Sequence, residues 1–248
     1  MKMRGNIIFI TGGGSGIGRG LAEALHKAGN QVIISGRRKG HLEATTAANP
    51  GMVSVEMDVS DPASIAAVSK QITRDYPRLN VIINNAGVMQ IDDASTAIDE
   101  ALMVSTVSTN LLGPMRVTSA FIEHLKKQPD ATIFNVTSIL GFVPLAVSAV
   151  YSATKAALHS YSQSLRWRLQ DTSVRVREIA PPWVQTDMLN SNNEPGAMPL
   201  ATFIAQTMAL IATEENELVV EAAKPLRAAV GPDNGAFALK FNDDFVAG

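Results

Sequence analysis

The stretch Ile7-Ile8-Phe9-Ile10-Thr11-Gly12-Gly13-Gly14-Ser15-Gly16-Ile17-Gly18 decides the fold class of this 248-residue chain. Its four consecutive apolar residues predict a short strand buried on both faces, as in a parallel sheet. The glycines predict a turn, and a helix follows with apolar residues at helical spacing at Ile17, Leu21, Leu25 and Ala28. Gln31 to Ser35 is strand-like again, so the chain opens as a βαβ unit.

The alternation of strand-like and helical segments continues to about residue 180. Further strands are predicted at 52–57, 81–83, 132–136 and 174–179, and helices at 41–48, after Asp61-Pro62, at 99–127 and at 151–169. Residues 218–220 would add a seventh strand to these six. This pattern predicts an α/β fold, a Rossmann-like doubly wound parallel sheet of six or seven strands with helices on both faces.

Residues 1–248 are expected to form a single dinucleotide-binding and catalytic domain. Asn190 to Pro199 is rich in Asn, Pro and Gly and predicts a loop, which is followed by a helix at 200–212. We expect a substrate flap at about 187–213. The final twenty residues allow no assignment of an element.

Composition excludes several classes of function. The net charge is −2 and hydrophobic residues make up 46%, so neither a nucleic-acid patch nor a basic membrane face is expected. No segment approaches the apolar length of a membrane helix. The chain has no cysteine, which excludes disulfides and thiolate chemistry, and its four histidines have no metal-ligand spacing. We expect a cytoplasmic protein without a metal ion.

The glycine-rich turn predicts a phosphate site. A loop between the first strand of an open sheet and its helix presents free backbone N–H groups at a positive helix end, and glycines let a pyrophosphate approach closely. The spacing of Gly12, Gly16 and Gly18 differs from the usual G-x-G-x-x-G. A tight strand–helix turn without a ligand is the alternative, and a Walker P-loop fits worse because no Gly-Lys-Ser/Thr follows.

Arg37 and Arg38 indicate which dinucleotide would bind. An acidic residue at the end of the second strand would bind the ribose 2′-hydroxyl of NAD, but Gly36 and the two arginines stand there. A guanidinium can pair with a 2′-phosphate instead. The sequence therefore predicts NADP(H) over NAD(H), and a solvated turn is the alternative.

Tyr151 and Lys155 are four residues apart and share one face of the predicted helix. A free tyrosine has a pKa of about 10, and a nearby ammonium favours the phenolate and lowers that pKa. The pair could then exchange a proton with a substrate oxygen. Taken alone, the spacing is explained better by a buried tyrosine beside a solvated lysine.

The ordered set of motifs resembles the short-chain dehydrogenase/reductase family, of the short, single-domain type that prefers NADP(H). It comprises Thr11-Gly12-x-x-x-Gly16-x-Gly18, Asp58, Asn84-Asn85-Ala86-Gly87, Asn110, Ser138, Tyr151-x-x-x-Lys155 and Thr186, and it covers about residues 5–190.

The resemblance implies cofactor contacts. The pyrophosphate would lie against Gly12, Ser15, Gly16, Ile17 and Gly18. Asp58 and Val59 would border the adenine, and Asn85, Ala86 and Gly87 would follow a cofactor ribose. Pro181 to Thr186 would border the nicotinamide, with Val184 and Thr186 near its carboxamide.

The resemblance also implies catalytic roles. Tyr151 would be the general acid or base and would also contact the cofactor, and Lys155 would hold ribose hydroxyls and lower the pKa of Tyr151. Ser138 would hydrogen-bond the substrate oxygen, with a loop cap as the alternative. Asn110 would help to hold a proton-relaying water, and solvent exposure in mid-helix is the alternative for this residue.

One position departs from the family pattern. The family usually has Pro-Gly after the sixth strand, and this chain has Pro181-Pro182-Trp183. A second proline stiffens the loop and removes an N–H. Trp183 would either wall the substrate pocket or pack under the next loop.

The predicted function is hydride transfer between NADP(H) and a carbonyl or secondary alcohol. A small, fairly apolar substrate is favoured; a 3-oxoacyl thioester reductase and a sugar-nucleotide epimerase are the enzymatic alternatives. An NADP(H)-sensing or scaffold protein is the non-enzymatic alternative, since fold does not determine function. Apolar residues on several faces of the later helices, together with the resemblance, predict a homodimer or homotetramer.

Overall fold

The computed structural model of the protein describes residues 1–231 and 234–247. In these residues seven strands form one parallel sheet. The strands are β1 Ile7–Thr11, β2 Gln31–Gly36, β3 Val53–Glu56, β4 Val81–Asn84, β5 Ala131–Val136, β6 Val174–Ile179 and β7 Glu217–Leu218. The predicted fold class is confirmed.

Helices follow the strands in alternation. They are α1 Gly16–Lys27, α2 Lys39–Ala48, α3 Pro62–Asp75, α4 Glu100–Val107, α5 Gly113–Leu125, α6 Ala149–Arg168, α7 Leu200–Ile211, α8 Lys224–Ala228 and α9 Asn234–Ala247. Local chemistry explains several boundaries. The Asp61 carboxylate accepts from the Ala63 N–H with Pro62 at the first helical position, and Gly29 after α1 has φ +93°.

The strand order β3-β2-β1-β4-β5-β6-β7 reverses direction between β1 and β4. Parallel pairing of Ile10 with Ile83 brings the carboxyl ends of these two strands side by side. In an open α/β sheet, the crevice beyond such a switch point is where ligands bind. The glycine loop and the Asn84-Asn85-Ala86-Gly87 segment therefore face one another.

Side chains alternate between two apolar layers along the sheet. Ile8 and Ile10 of β1 point into one layer, together with Leu21 of α1 and Phe203 of α7. Phe9 points into the other layer, which includes residues of α3 and α5. Continuous apolar strands are required because helices cover both faces.

Three regions differ from the sequence-based expectation. The predicted helix 99–127 is interrupted by a π-helical segment, Ser108–Leu112, in which the Gly113 N–H bonds to the Ser108 carbonyl. The predicted loop 190–199 contains short 3-10 turns over Met188–Asn193, with Leu189 and Asn190 in the left-handed region at φ 54°. The final twenty residues, for which no element was assigned, include α9.

Among the residues that the structure describes, no helix is both long enough and apolar enough to cross a membrane.

Candidate active site

A cavity of about 580 Å³ opens beyond the carboxyl ends of the strands. Every predicted site residue except Asn110 lines it: Gly12, Ser15, Gly16, Ile17, Gly18, Arg37, Arg38, Asp58, Val59, Asn85, Ala86, Gly87, Ser138, Tyr151, Lys155, Pro181, Val184 and Thr186. Residues up to 174 positions apart in the sequence thus reach one site, because parallel strands end at one edge of the sheet.

The glycine loop is shaped for close approach of a ligand to the backbone. Gly12 and Gly16 have φ +68° and +51°, a region that favours glycine. A Cβ on Gly18 would lie 2.3 Å from both the Gly12 carbonyl oxygen and the Asn85 Nδ2, so only glycine fits there. The first turn of α1 carries no acidic residue, which leaves its N-terminus suited to an anion.

Asn85 and Thr11 hold the loop against β4. The Asn85 Nδ2 donates to the Thr11 and Gly12 carbonyl oxygens at 3.0 and 3.2 Å. The Thr11 hydroxyl oxygen accepts from the backbone N–H groups of Asn85 and Ala86, each at 3.0 Å. Asn85 is therefore a brace for the glycine turn as well as part of the cavity wall.

Two exposed arginines lie at the β2 end of the cavity. The Arg38 Nη2 donates to the Ser15 hydroxyl oxygen at 2.8 Å and so spans from the start of α2 to the glycine loop. Arg37 lies near Asp58. Burial acts to raise the pKa of Asp58, but hydrogen bonds from Ser60 and the charge of Arg37 outweigh it, and the pKa lies below its ordinary value.

Tyr151, Lys155 and Ser138 meet at the opposite part of the cavity. The Lys155 Nζ lies 5.5 Å from the centroid of the Tyr151 ring and donates to the Val136 carbonyl oxygen at 2.8 Å. Ser138 follows β5, and its hydroxyl oxygen accepts from the Leu140 N–H at 3.1 Å. Ser138 therefore both caps the loop and lines the cavity, because a hydroxyl can accept one hydrogen bond and donate another.

The pKa of Tyr151 differs from the sequence-based expectation. Burial raises the pKa of the phenol to about 12, although the neighbouring Ser138 hydroxyl acts to lower it. Burial also lowers the pKa of the Lys155 ammonium to about 8. The pKa of Tyr151 therefore lies above that of a free tyrosine and not below it as expected, because desolvation of the phenolate outweighs the hydrogen bond from Ser138.

Asn110 lies behind the cavity wall and is fully buried, so the solvent-exposure alternative is wrong. Its Oδ1 accepts from the Val88 N–H and its Nδ2 donates to the Val88 carbonyl oxygen, both at 2.8 Å. The Nδ2 also lies 3.3 Å from the Thr154 Oγ1, between Tyr151 and Lys155 on α6. The π-helical segment places Asn110 so that it joins the 84–88 segment to α6. Such segments occur often at functional sites.

The segment after β6 forms another wall. Pro181 accepts at its carbonyl oxygen from the Ile139 N–H at 3.0 Å, which fixes the loop to the residue after Ser138. Pro182 and Trp183 both line the cavity. Trp183 is 43% exposed and its ring lies 6.0 Å from that of Phe245, so it both walls the cavity and packs on a neighbour.

Sequence reasoning missed Asp92, a buried carboxylate that holds the start of α6. Its Oδ1 accepts from the Ala149 N–H at 2.9 Å and its Oδ2 from the Val150 N–H at 3.0 Å, directly before Tyr151. A carboxylate favours the positive end of a helix. No local signal could reveal this contact, since 57 residues separate the partners.

We expect Asp92→Ala to lower the free energy of unfolding by about 2 kcal/mol, because two partly buried N–H groups lose their acceptor. Denaturant unfolding measures the change. Asp93→Ala is the matched control, since the Asp93 carboxylate is exposed and accepts hydrogen bonds from the N–H and hydroxyl of Ser95 in its own turn. Equal and small effects of the two substitutions would contradict this assignment.

The far end of the chain also contributes side chains that the sequence did not indicate. Leu226 of α8 and Phe241 and Phe245 of α9 line the cavity. These helices are short or lack a clear apolar periodicity. Their apolar residues reach the cavity only when the chain folds back over the sheet, so the sequence alone does not indicate them.

A polar cluster lies where α6, β6 and β7 meet. His159, Glu178 and Glu217 place ligand-type atoms within 4.8 Å of one another, an arrangement that sequence spacing did not predict. Arg166 donates to Glu178 at 2.9 Å and Arg227 to Glu217 at 2.7 Å. Because two guanidinium groups already compensate the carboxylates, the cluster is an ion-pair network that ties β6, β7 and α8 to α6.

Known proteins share this fold and sequence pattern. The sequence profile described as short chain dehydrogenase matches residues 6–196. The uncharacterized oxidoreductase DltE of Bacillus subtilis is 43% identical over 189 residues, which cover 76% of this chain and 75% of that protein. This chain therefore belongs to the short-chain dehydrogenase/reductase family, and it is an oxidoreductase of that family.

Solved structures agree with this assignment. A short chain dehydrogenase from Burkholderia cenocepacia, in complex with NADP, is 26% identical with a TM-score of 0.86, over 97% of this chain and 98% of its own. A short chain dehydrogenase/reductase from Burkholderia phymatum, in complex with NAD, shares the fold at 21% identity with a TM-score of 0.83, over 92% and 93% of the two chains. Structural neighbours thus bind either dinucleotide.

Proposed function

We propose that this protein is an NADP(H)-dependent oxidoreductase that interconverts a carbonyl compound and a secondary alcohol. The observation that carries the proposal is the convergence of a glycine cradle and the Ser138–Tyr151–Lys155 group in one cavity. The cradle fits a dinucleotide, because its positive-φ glycines and the open N-terminus of α1 leave backbone N–H groups accessible to a pyrophosphate.

When bound, the nicotinamide supplies the hydride or accepts it, and the protein supplies orientation and protons. Tyr151 gives its phenolic proton to the carbonyl oxygen as the alcohol forms. Ser138 donates a hydrogen bond to the same oxygen, where negative charge develops. Lys155 places a positive charge beside the phenolate that Tyr151 becomes. With a pKa of about 12, the phenol of Tyr151 holds its proton at neutral pH and is therefore present as the acid that reduction requires.

Asn110 has a positioning role in this proposal. Its amide joins Val88 to Thr154, which lies between the two catalytic side chains on α6. The amide thereby fixes the helix relative to the segment that would follow a cofactor ribose. Water held beside it, as expected from the family resemblance, stays a prediction.

The overall proposal is tested by the loss of NADPH absorbance when a panel of ketones is added. Turnover of at least one ketone is expected. Tight binding of NADPH with no turnover across a broad panel would contradict the proposal and favour the sensing alternative.

The preference for NADP(H) rests on Arg37 and Arg38. We expect Arg37→Ala to raise KM for NADPH by about 10- to 100-fold, the value of a charge-assisted hydrogen bond, and to leave KM for NADH nearly unchanged. Arg38→Ala should act in the same direction and also removes the contact with Ser15.

Lys39→Ala is the matched control for the arginines, because Lys39 is the next residue, is exposed and pairs with Glu43 on α2. Steady-state kinetics with both cofactors measure the effect. An equal loss with NADPH and NADH, or a native preference for NADH, would overturn the assignment of NADP(H).

Three further expectations stay predictions. Residues 1–248 would act as one domain with a flap at 187–213; within that flap Asp187, Met188, Leu189 and Ser191 line the cavity. A homodimer or homotetramer is supported by exposed apolar side chains on α4 and α6, Val104 and Trp167. The third is the cytoplasmic location.

A further inference from the structure

The C-terminal helix α9 closes the part of the cavity that lies away from the arginines. Phe241 and Phe245, one helical turn apart, line it there. Phe245 packs beside Trp183, with ring centroids 6.0 Å apart. Leu226 of α8 adds an aliphatic side chain to the same wall. The wall lies outside residues 6–196, the part of the chain that matches the family profile.

Charge is distributed unevenly along the cavity. Arg37, Arg38, His41 and Asp58 all lie at the β2 end. Among the described lining residues from 139–145, 181–191, α8 and α9, Asp187 alone is ionisable. Asp187 is exposed and accepts from the Asn192 Nδ2 at 2.7 Å. An anionic ligand group would therefore have no basic partner in this wall. It would lose its hydration without gaining an ion pair in return.

Asn242 fixes α9 to the segment that leads into the catalytic helix. Its Oδ1 accepts from the Ala146 N–H, and its Nδ2 donates to the Pro144 carbonyl oxygen at 3.0 Å. Leu145, between these two partners, lines the cavity. The Leu145 N–H in turn donates to the Ser152 hydroxyl oxygen at 3.1 Å, beside Tyr151. One amide thus connects the aromatic wall to the start of α6.

From these contacts we infer that Phe241 and Phe245 form an apolar end wall of the substrate site. This wall selects neutral carbonyl compounds that carry an extended apolar group. Asn242 is the positioning residue that keeps the wall at a fixed place relative to Tyr151. The inference rests on the proposed function in that the ligand is the carbonyl substrate. It adds the substrate class and assigns residues that set specificity.

The test uses Trp183 as a local reporter of binding. The chain has two tryptophans, so Trp167→Phe leaves Trp183 as the sole one. A saturable change in its emission is recorded with straight-chain methyl ketones of increasing length. In the otherwise unchanged protein we expect affinity to rise with length, by up to about fourfold for each methylene that becomes buried.

Substitutions on α9 show whether the wall is responsible. Phe241→Ala and Phe245→Ala should weaken the increase of affinity with ketone length, while the affinity for the shortest ketone stays the same. Phe237→Ala is the matched control, because Phe237 lies on the same helix, is as exposed as Phe245 at 39%, and is not among the cavity-lining residues. The same length dependence in all three variants would overturn the proposal.

Asn242→Ala tests the positioning role. It should raise KM for the longest ketone by about the same factor as Phe245→Ala, and it should raise KM for the shortest ketone by a clearly smaller factor. Lys240→Ala is the control, since Lys240 is exposed and pairs with Asp244 on the same helix. An equal loss of kcat with every ketone, or tighter binding of an anionic 3-oxo acid than of a neutral ketone of equal length, would contradict the inference.

Ketone binding is measured from the emission of Trp183 and requires no turnover. The proposed function and the proposed wall can therefore fail separately. Binding that strengthens with ketone length, without oxidation of NADPH, would support the apolar wall and contradict the proposal that the protein is a reductase. Turnover of ketones with no dependence of affinity on length would support the reductase and contradict the apolar wall.

Discussion

Tyr151→Phe is expected to reduce the turnover of any ketone by about 10²- to 10⁴-fold, the usual contribution of a positioned general acid. The substitution removes one hydroxyl from a buried ring and keeps the ring itself, so the packing of α6 is retained. The hydroxyl is the proton donor in the proposed reaction, and Ser138 alone can donate only a hydrogen bond. Steady-state kinetics with NADPH measure the loss.

Tyr161→Phe is the matched control for this prediction. Tyr161 lies on the same helix, outside the residues that line the cavity, with Thr118 beside its hydroxyl. Its substitution should leave turnover unchanged, and the Kd of NADPH should stay the same in both variants. Retention of full activity by Tyr151→Phe would remove the tyrosine from the mechanism, whereas a loss of NADPH binding would point to damage in the fold.

Lys155→Met is expected to stabilise the protein and to inactivate it. Burial lowers the pKa of Lys155 from 10.5 to about 8, so its charge costs the folded state about 3 kcal/mol at neutral pH. Methionine of similar volume removes that cost, and the lost hydrogen bond to the Val136 carbonyl oxygen offsets about 1 kcal/mol of it. A gain of about 2 kcal/mol in the free energy of unfolding remains.

The expected gain in the free energy of unfolding of Lys155→Met depends on pH. Between pH 8 and 10.5 the unfolded chain holds the Lys155 proton and the folded chain does not, so the stability of the unsubstituted protein rises with pH. The advantage of Lys155→Met is therefore largest below pH 8 and disappears as the pH approaches 10.5. Urea unfolding of the protein without ligand, at several pH values, measures it.

Lys127→Met serves as the control, because Lys127 is exposed and burial imposes no comparable cost on its charge. A destabilised Lys155→Met, or a gain that does not vary with pH, would contradict this account. The expected combination of higher stability and lost activity is typical of a polar group buried for catalysis.

Many elements of the fold could be predicted because their signals are local. The apolar run Ile7 to Ile10, the glycines after it and the Asp61-Pro62 cap each act within a few residues, and the structure has the strand, turn and helix start that they predict. The π-helical segment at Asn110 carries no comparable signal. It depends on the contacts that this side chain makes with Val88 and Thr154.

The candidate site divides in the same way. Tyr151 and Lys155 could be paired from their spacing, since four residues make one turn of any helix. The pKa of Tyr151 could not be predicted, because it depends on burial by elements distant in the chain, and its direction was wrong for that reason. Asp92, Leu226 and Phe245 reach the site only through long-range contacts.

By itself, the sequence determined the α/β class, the glycine cradle, and the residue types that meet at the carboxyl edge of the sheet. These follow from periodicity, turn chemistry and spacing, which operate between near neighbours. The tertiary structure alone decided which side chains are desolvated, how Asp92 and Asn110 hold α6, and which residues of the C-terminal helices line the cavity. Burial and contacts between distant residues exist only after the chain has folded, so both pKa values and the apolar wall follow from the tertiary structure.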